Sequence, residues 1–137
     1  VSRFLPAYPA ILLTMKKILL GYLLIASNLA FADWIKLSDN DDATVYIDLT
    51  TLRKDGNLRT VWQLHDEMKA SNDGTLSSRI LWEYDCNGER VRMLSASGYS
   101  GPKATGKKLY TFYKTTEWRD IAPETMGQNG LKAVCTK

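Results

Sequence analysis

An Asn-Gly pair between two extended segments is the sequence feature that most constrains the fold. From Ser77 to Cys86, apolar side chains fall at every second position, which is typical of a strand with one covered face. Asn87-Gly88 follows, a strong signal for a two-residue hairpin turn, and Arg90–Tyr99 then runs back. The pattern predicts an antiparallel hairpin with Cys86 on its apolar face.

Other extended segments lie on both sides of this hairpin. Ala43–Asp48 alternates in the same way, and Leu58–Met68 does so over a greater length. In the second segment Trp62 and Leu64 share one side, and His65 lies on the other with Val61. Shorter extended segments are predicted at Trp34–Leu37 and Lys107–Lys114. Leu49–Lys54 is ambiguous, and a helical turn that ends at Asp55-Gly56-Asn57 is one interpretation.

The C-terminal segment has the pattern of a helix. Thr125-x-x-Gln128 fits a capping box, and Leu131, Val134 and Cys135 share one helical face. Gly127 and Gly130 weaken such a helix by about 1 kcal/mol each relative to alanine, so it must depend on packing. The predicted fold is α+β: a meander of five or six antiparallel strands with a C-terminal helix packed on one face.

Residues 15–32 resemble a cleavable secretion signal. Lys16 and Lys17 precede the apolar run Ile18–Ala26, and a small-x-small triplet ends at Ala32. The apolar run is about half of the roughly 20 residues that cross a membrane. Cleavage is therefore predicted between Ala32 and Asp33, and residues 33–137 are predicted to form a single mature domain.

Met15 stands at the head of this signal, so residues 1–14 are interpreted as an over-extended gene start. Residues 1–32 contain three of the 18 basic residues and none of the 15 acidic ones, which leaves 15 of each in residues 33–137. The predicted mature domain is thus neutral, and its bulk charge gives no reason to expect a nucleic-acid partner.

The chain has two cysteines, Cys86 and Cys135. An even pair in an exported chain indicates a disulfide, and closing a loop of about 50 residues would contribute about 4 kcal/mol in the chain-entropy model. The alternatives are two free thiols or half of a metal site. With one histidine and no CxxC motif, neither a metal nor a cofactor is predicted.

Short motifs along residues 34–135 resemble the surface-adhesin protein E family, which consists of small exported bacterial domains. The matching motifs are Trp34, Val45-Tyr46-Ile47-Asp48, Thr51-Leu52-Arg53, Gly56, Val61-Trp62, Asp85-Cys86, Ser97-x-Tyr99-Ser100, Trp118-x-x-Ile121-x-Pro123 and Leu131-x-x-Val134-Cys135. The resemblance implies an antiparallel sheet, a helix against it and a disulfide that joins the two.

The resemblance also implies adhesion to host extracellular matrix proteins, an activity of lipid-anchored members of the family. No cysteine follows Ala32 directly, so lipid attachment is not expected here. A periplasmic or secreted location is predicted in preference to cell-surface display, and the partners would be envelope or host extracellular matrix proteins.

No catalytic motif is present, and no catalytic residue is predicted. His65 could act as a general base with Ser95 or Ser97, but a solvent-facing strand histidine is the preferred interpretation. Glu83 and Asp85 share a strand face, as a glycosidase pair would. Arg79 lies on the same face and further arginines lie on the neighbouring strand, so a surface ladder of ion pairs is the preferred interpretation.

Two loops are weaker candidates for ligand sites. Asp39-Asn40-Asp41-Asp42 could bind calcium, but Ala43 and Thr44 do not fit the continuation of an EF-hand loop, and a solvated turn is preferred. The loop Gly98–Lys108 completes no phosphate-binding motif and is interpreted as a mobile connection. It is nevertheless the first place where a partner contact is expected, through Lys103, Lys107 and Lys108.

These observations together predict an exported, non-enzymatic binding domain. The alternative is a small periplasmic ligand-binding protein or enzyme that uses a cleft beside the sheet. Four tryptophans and several tyrosines are available for either function, and any that stay exposed together would mark a binding surface.

Overall fold

The computed structural model describes residues 32–136, so the predicted signal and the first 14 residues lie outside the described residues. Residues from Ala32 onward form a compact unit of their own. No helix in the described part is long and apolar enough to span a membrane.

The described chain is an antiparallel sheet with one α-helix. The helix α1 is Met126–Cys135, and the strands are β1 Ile35–Asp39, β2 Ala43–Asp55, β3 Leu58–Glu67, β4 Ser77–Asp85, β5 Arg90–Tyr99, β6 Lys108–Phe112 and β7 Arg119–Asp120. The first six strands lie side by side in chain order, and β7 pairs with β5. The predicted α+β meander with a C-terminal helix is confirmed.

The prediction of a helical turn at Leu49–Lys54 was wrong, because β2 continues through this segment to Asp55. Pairing with β3 is irregular after Asp48 and resumes where Arg53 faces Thr60. Within the gap, the Thr51 hydroxyl donates to the Asp48 carbonyl and accepts from the Trp62 amide. This threonine bridges the irregularity, which allows the strand to continue.

The register gives the sheet two different faces. The helix face carries Ile47, Val61, Tyr84 and Val91, which pack against Leu131 and Val134 of α1 in the main core cluster. The open face is the opposite side, where Trp62 and Leu64 lie. The described structure therefore packs the Val61 side of β3 against the helix and leaves the Trp62 side outside this cluster.

A disulfide confirms the predicted pairing of Cys86 with Cys135, with the two Cα atoms 5.7 Å apart. Cys86 directly follows β4 and Cys135 ends α1, so the bond fastens the helix to the sheet. At the other end of α1, the Thr125 side chain accepts a hydrogen bond from the Gln128 amide at 3.3 Å. Between them, Gly130 leaves room for the Tyr84 hydroxyl against the helix.

Candidate functional site

The open face is centred on a stacked arginine and tryptophan. The guanidinium carbon of Arg79 on β4 lies 4.2 Å from the centroid of the Trp62 ring on β3. The two residues are diagonal neighbours on the same face of the sheet, because Trp62 faces Leu81 and Arg79 faces Leu64. The Nε atom of Arg79 is buried and has no hydrogen-bond partner among residues 32–136. The pair is held by stacking of the guanidinium on the indole.

Two depressions flank this pair, and both are bordered by Trp62 and Arg79. The larger encloses about 540 Å³, and the smaller encloses about 250 Å³. The other residues that line the larger are Thr50, Thr51, Leu52, Arg53, Thr60 and Leu81. Those that line the smaller are Ser95, Ser97, Tyr99, Lys108, Thr111 and Tyr113. We call the two depressions and the Arg79–Trp62 pair the cationic groove.

The cationic groove carries a positive charge. Its described lining contains the cations Arg53, Arg79 and Lys108 and no carboxylate. None of the three forms an ion pair within residues 32–136. The predicted mature domain is neutral overall, so the groove is a local concentration of positive charge surrounded by hydroxyl groups.

The acidic residues of β4 are already neutralised at one end of the open face. Glu83 binds Arg92 at 2.6 Å, and Asp85 binds Arg90 at 2.9 Å. The Gly88 amide, and then the Arg90 side chain, lower the pKa of Asp85. The predicted pairing of these carboxylates with arginines of the neighbouring strand is therefore present, but Arg79 takes no part in it.

The loop after β5 is anchored to the sheet, in contrast to the mobile connection that we expected. The Ser77 hydroxyl donates to the Gly101 carbonyl at 2.6 Å and accepts from the Ala104 amide at 2.8 Å. The Lys103 amide donates to Asp66 at 2.9 Å. These bonds fold the loop back over β3 and β4.

The three lysines of this loop do not converge on one point. The Lys103 ammonium lies 5.2 Å from the centroid of the Tyr46 ring, and that of Lys108 lies 5.9 Å from the centroid of Tyr99. Lys107 is exposed. Only Lys108 lines the cationic groove.

His65 is half-buried on the helix face, so the prediction that it faces solvent was wrong. It lines a cavity of about 170 Å³ with Trp82, Tyr84 and the first turn of α1. Its Nε2 lies 3.3 Å from the side-chain oxygen of Gln63, whose amide nitrogen donates to the Tyr84 hydroxyl at 2.7 Å. Burial lowers the pKa of His65, because it disfavours the charged imidazolium.

The suggested pairing of His65 with a serine nucleophile is also wrong. Ser97 faces Arg79 and Ser95 faces Leu81, which places both serines on the open face. His65 faces Val45 and lies on the other side of the sheet. The sheet therefore separates the base from both hydroxyls.

The acidic turn after β1 is organised by its own hydrogen bonds. The Asn40 side-chain oxygen accepts from the amides of Asp42 and Ala43 at 2.8 and 2.9 Å, and Asp39 binds Lys36 at 3.0 Å. No group of three or more metal-ligating side chains occurs within the described part of the chain. This geometry is that of a solvated turn.

The family model named surface-adhesin protein E matches residues 34–136. The chain belongs to this family. The match spans every strand and the helix, so the family resemblance seen in the motifs is confirmed. Surface-adhesin protein E domains are binding proteins, and this chain is accordingly a surface-adhesin-like binding domain.

Solved structures of Haemophilus influenzae protein E have the same fold. One crystal form matches with a TM-score of 0.61 at 15% identity, over 79% of this chain and 91% of that one. Another structure, of protein E from non-typeable H. influenzae, gives 0.53 at 14% identity, over 80% and 79%. No curated protein matches the chain.

Sequence reasoning missed the Arg79–Trp62 pair and the contribution of Arg53. Alternation in β3 and β4 places Trp62 and Arg79 on faces of their own strands, but only the strand register brings these faces together. A partial signal was nevertheless present, since alternation places Arg79 on the same face of β4 as Leu81 and places Trp62 on the same face of β3 as Leu64. The expectation of a partner contact at the Gly98–Lys108 loop located one edge of the groove, through Lys108.

Proposed function

We propose that this domain is a non-enzymatic binding protein that works outside the cytoplasm, and that its cationic groove takes an acidic segment of a partner protein. The observation that carries the proposal is the set of three cations, Arg53, Arg79 and Lys108, that form no ion pair within residues 32–136 and lie in a groove whose described lining has no carboxylate. Opposite charge at an interface increases the association rate and excludes unsuitable partners.

The chemistry of the groove favours carboxylates. An arginine can donate two parallel hydrogen bonds to a carboxylate, and stacking on Trp62 restricts the Arg79 side chain before a ligand arrives. A pre-positioned side chain loses less conformational entropy on binding. The surrounding hydroxyls of Ser95, Ser97 and Thr111 can donate to further oxygens of an acidic peptide.

Export supports partners in the cell envelope or the host matrix. The predicted cleavage between Ala32 and Asp33 would release a domain stapled by Cys86–Cys135, a bond that persists in oxidising compartments. We propose a periplasmic or secreted location. The name of the family supports adhesion, and of the three loop lysines Lys108 would form the edge of the contact, because it lines the groove.

The test measures binding of the 33–137 domain to an immobilised poly-L-glutamate peptide. We expect Arg79→Gln to weaken binding about tenfold, as the loss of a charge-assisted hydrogen bond predicts, and Lys108→Gln to weaken it less. Lys132→Gln is the control, because it removes an exposed cation from α1. Equal losses in all three variants, or binding to heparin but not to the peptide, would overturn the proposal.

A small-ligand function is the second candidate, and one observation favours it. The indole Nε1 of Trp82 is buried and lacks a partner in residues 32–136, and Trp82 lines the cavity beside His65 with Arg119. An aryl carboxylate would suit such a lining. Titration with benzoate, followed by the NMR signal of the Trp82 indole N–H, tests this, and an unmoved signal would exclude it.

A further inference from the structure

Asp48 is a buried carboxylate without a cationic partner among the described residues. It is 4% exposed, and no ion pair within residues 32–136 includes it. Its Oδ1 accepts from the Thr50 amide at 3.0 Å and from the Thr50 hydroxyl. A buried charge is costly unless it is both hydrogen-bonded and paired, so a cation at the other oxygen would stabilise the carboxylate.

That other oxygen, Oδ2, has one partner in the described chain. It accepts a hydrogen bond from the backbone nitrogen of Asp33 at 3.3 Å. The register explains the approach, because Ile35 of β1 faces Ile47 of β2 and the chain before Ile35 continues alongside Asp48. In the uncut chain this nitrogen is an uncharged amide.

The geometry points to Asp48 as the receptor for a new N-terminus, created when the chain is cut between Ala32 and Asp33. A peptidase of the export pathway would add water to this peptide bond. The bond between the Ala32 carbonyl carbon and the Asp33 nitrogen breaks, Ala32 leaves as a carboxylate, and Asp33 becomes an amine. α-Amino groups have pKa values of about 8, so this amine takes up a proton at neutral pH.

The cut therefore turns an amide donor into an ammonium ion at the same place. The ammonium has three N–H donors, and the nitrogen that carries them already lies within hydrogen-bonding distance of Oδ2. Charge-assisted hydrogen bonds are about twice as strong as neutral ones. Processing thus supplies this cation, and the mature domain becomes more stable than its precursor.

The position of the cut decides whether the pair can form. The small residue Ala30 offers an alternative cleavage point two residues earlier. A chain that begins at Phe31 would keep Asp33 as an amide and would hold its ammonium away from Asp48. The inference rests on the predicted cut and is independent of the proposed binding function.

Three N-terminal forms of the domain test the inference: one that begins at Asp33, the same chain with an acetylated N-terminus, and one that begins at Phe31. We expect the free Asp33 form to melt about 4 °C or more above the other two. Asp48→Asn should abolish this difference. Asp66→Asn is the matched control, because Asp66 binds a backbone amide of the loop after β5 and should leave the difference intact.

A second measurement needs no variant, in case Asp48→Asn fails to fold. Only the uncharged amine reacts in N-terminal acylation, and an ion pair raises the pKa of the amine. The acylation rate at neutral pH should therefore be at least about tenfold lower in the folded Asp33 form than in denaturant, which corresponds to a pKa increase of about one unit. Equal melting of free and acetylated forms, or equal acylation rates in folded and denatured chains, would overturn the inference. So would an exported protein whose first residue is other than Asp33.

Discussion

The two faces of the sheet use the same kinds of residue in opposite ways. On the helix face, Tyr84 is 2% exposed and its hydroxyl accepts a hydrogen bond from Gln63. On the open face, Trp62 supports Arg79, whose Nε has no partner in the described residues. The comparison teaches that α1 decides which aromatic residues become core and which remain available for binding.

Titration properties differ between the faces for the same reason. Burial raises the pKa of Tyr84 on the helix face to about 12, against a smaller opposite effect of its hydrogen bond with Gln63. Asp85 on the open face has a lowered pKa, because the Gly88 amide and Arg90 stabilise its charge. Burial therefore disfavours the charged form of Tyr84 on the helix face, whereas hydrogen bonds and an ion pair favour the charged form of Asp85 on the open face.

Loss of the disulfide should have the largest effect on stability, because this bond fastens α1 to the sheet and so keeps the helix face covered. We expect Cys86→Ser and Cys135→Ser each to lower the free energy of unfolding by about 4 kcal/mol, and the double variant to lose little more. Urea unfolding of the three variants measures this. Additive losses would show that each cysteine contributes independently.

The next largest effect should come from closing the space that Tyr84 uses against the helix. A Cβ at Gly130 would overlap the Tyr84 hydroxyl oxygen, so Gly130→Ala should destabilise the domain by about 2 kcal/mol.

Gly127→Ala is the matched control in the same helix. Its nearest neighbour would be a methyl group of Ile121 at 3.4 Å, and the gain in helix propensity is up to about 1 kcal/mol. This variant should be neutral or slightly stabilised in thermal melts. Equal destabilisation by both substitutions would mean that helix propensity, and not the Tyr84 contact, sets the effect of Gly130.

A smaller effect on stability should appear when the pH is lowered, because His65 lies on the helix face. Burial lowers the pKa of His65 in the folded state, so the unfolded chain takes up this proton first as the pH falls. The contribution of His65 to stability should be complete above the ordinary histidine pKa of about 6.5 and should decline below it. His65→Gln should remove this part of the pH dependence, and superimposable pH profiles of the two proteins would contradict the burial of His65.

The smallest effect on stability should come from the open face. Arg79→Gln should change the free energy of unfolding by about 1 kcal/mol or less, the range of a single cation–π contact. Chemical denaturation measures this next to the Gly130→Ala variant. A loss as large as that of Gly130→Ala would make Arg79 a core residue and would remove the contrast between the faces.

Local patterns predicted the parts of the fold that local rules govern. The hairpin of β4 and β5, the capping residue Thr125 and the pairing of Cys86 with Cys135 follow from turn chemistry, capping and the cysteine count. The turn itself differs from the predicted two-residue form, because four residues separate the paired Asp85 and Arg90 and the positive φ falls at Glu89. The interruption at Leu49–Lys54 did not follow, because a side chain bridges it to the neighbouring strand. The cationic groove required the strand register, which alternation within one strand does not supply.

The choice of face for His65 shows the same limit. Alternation correctly separated His65 from Trp62, but both sides of β3 carry apolar groups, and the side with Trp62 and Leu64 was interpreted as the covered one. Packing of Leu131 and Val134 on Val61 reversed that preference. Contacts between distant segments decided between two patterns that were equivalent within the strand.

Partners are proposed to bind the open face and to leave the helix face unchanged. Titration of the ¹⁵N-labelled 33–137 domain with a poly-L-glutamate peptide, followed by amide NMR shifts, distinguishes binding at the two faces. We predict that shifts will concentrate at Trp62, Arg79 and Ser97 and be absent at Val61 and Val134. Shifts that concentrate on the helix face, or that are equal on the two faces, would contradict binding at the open face.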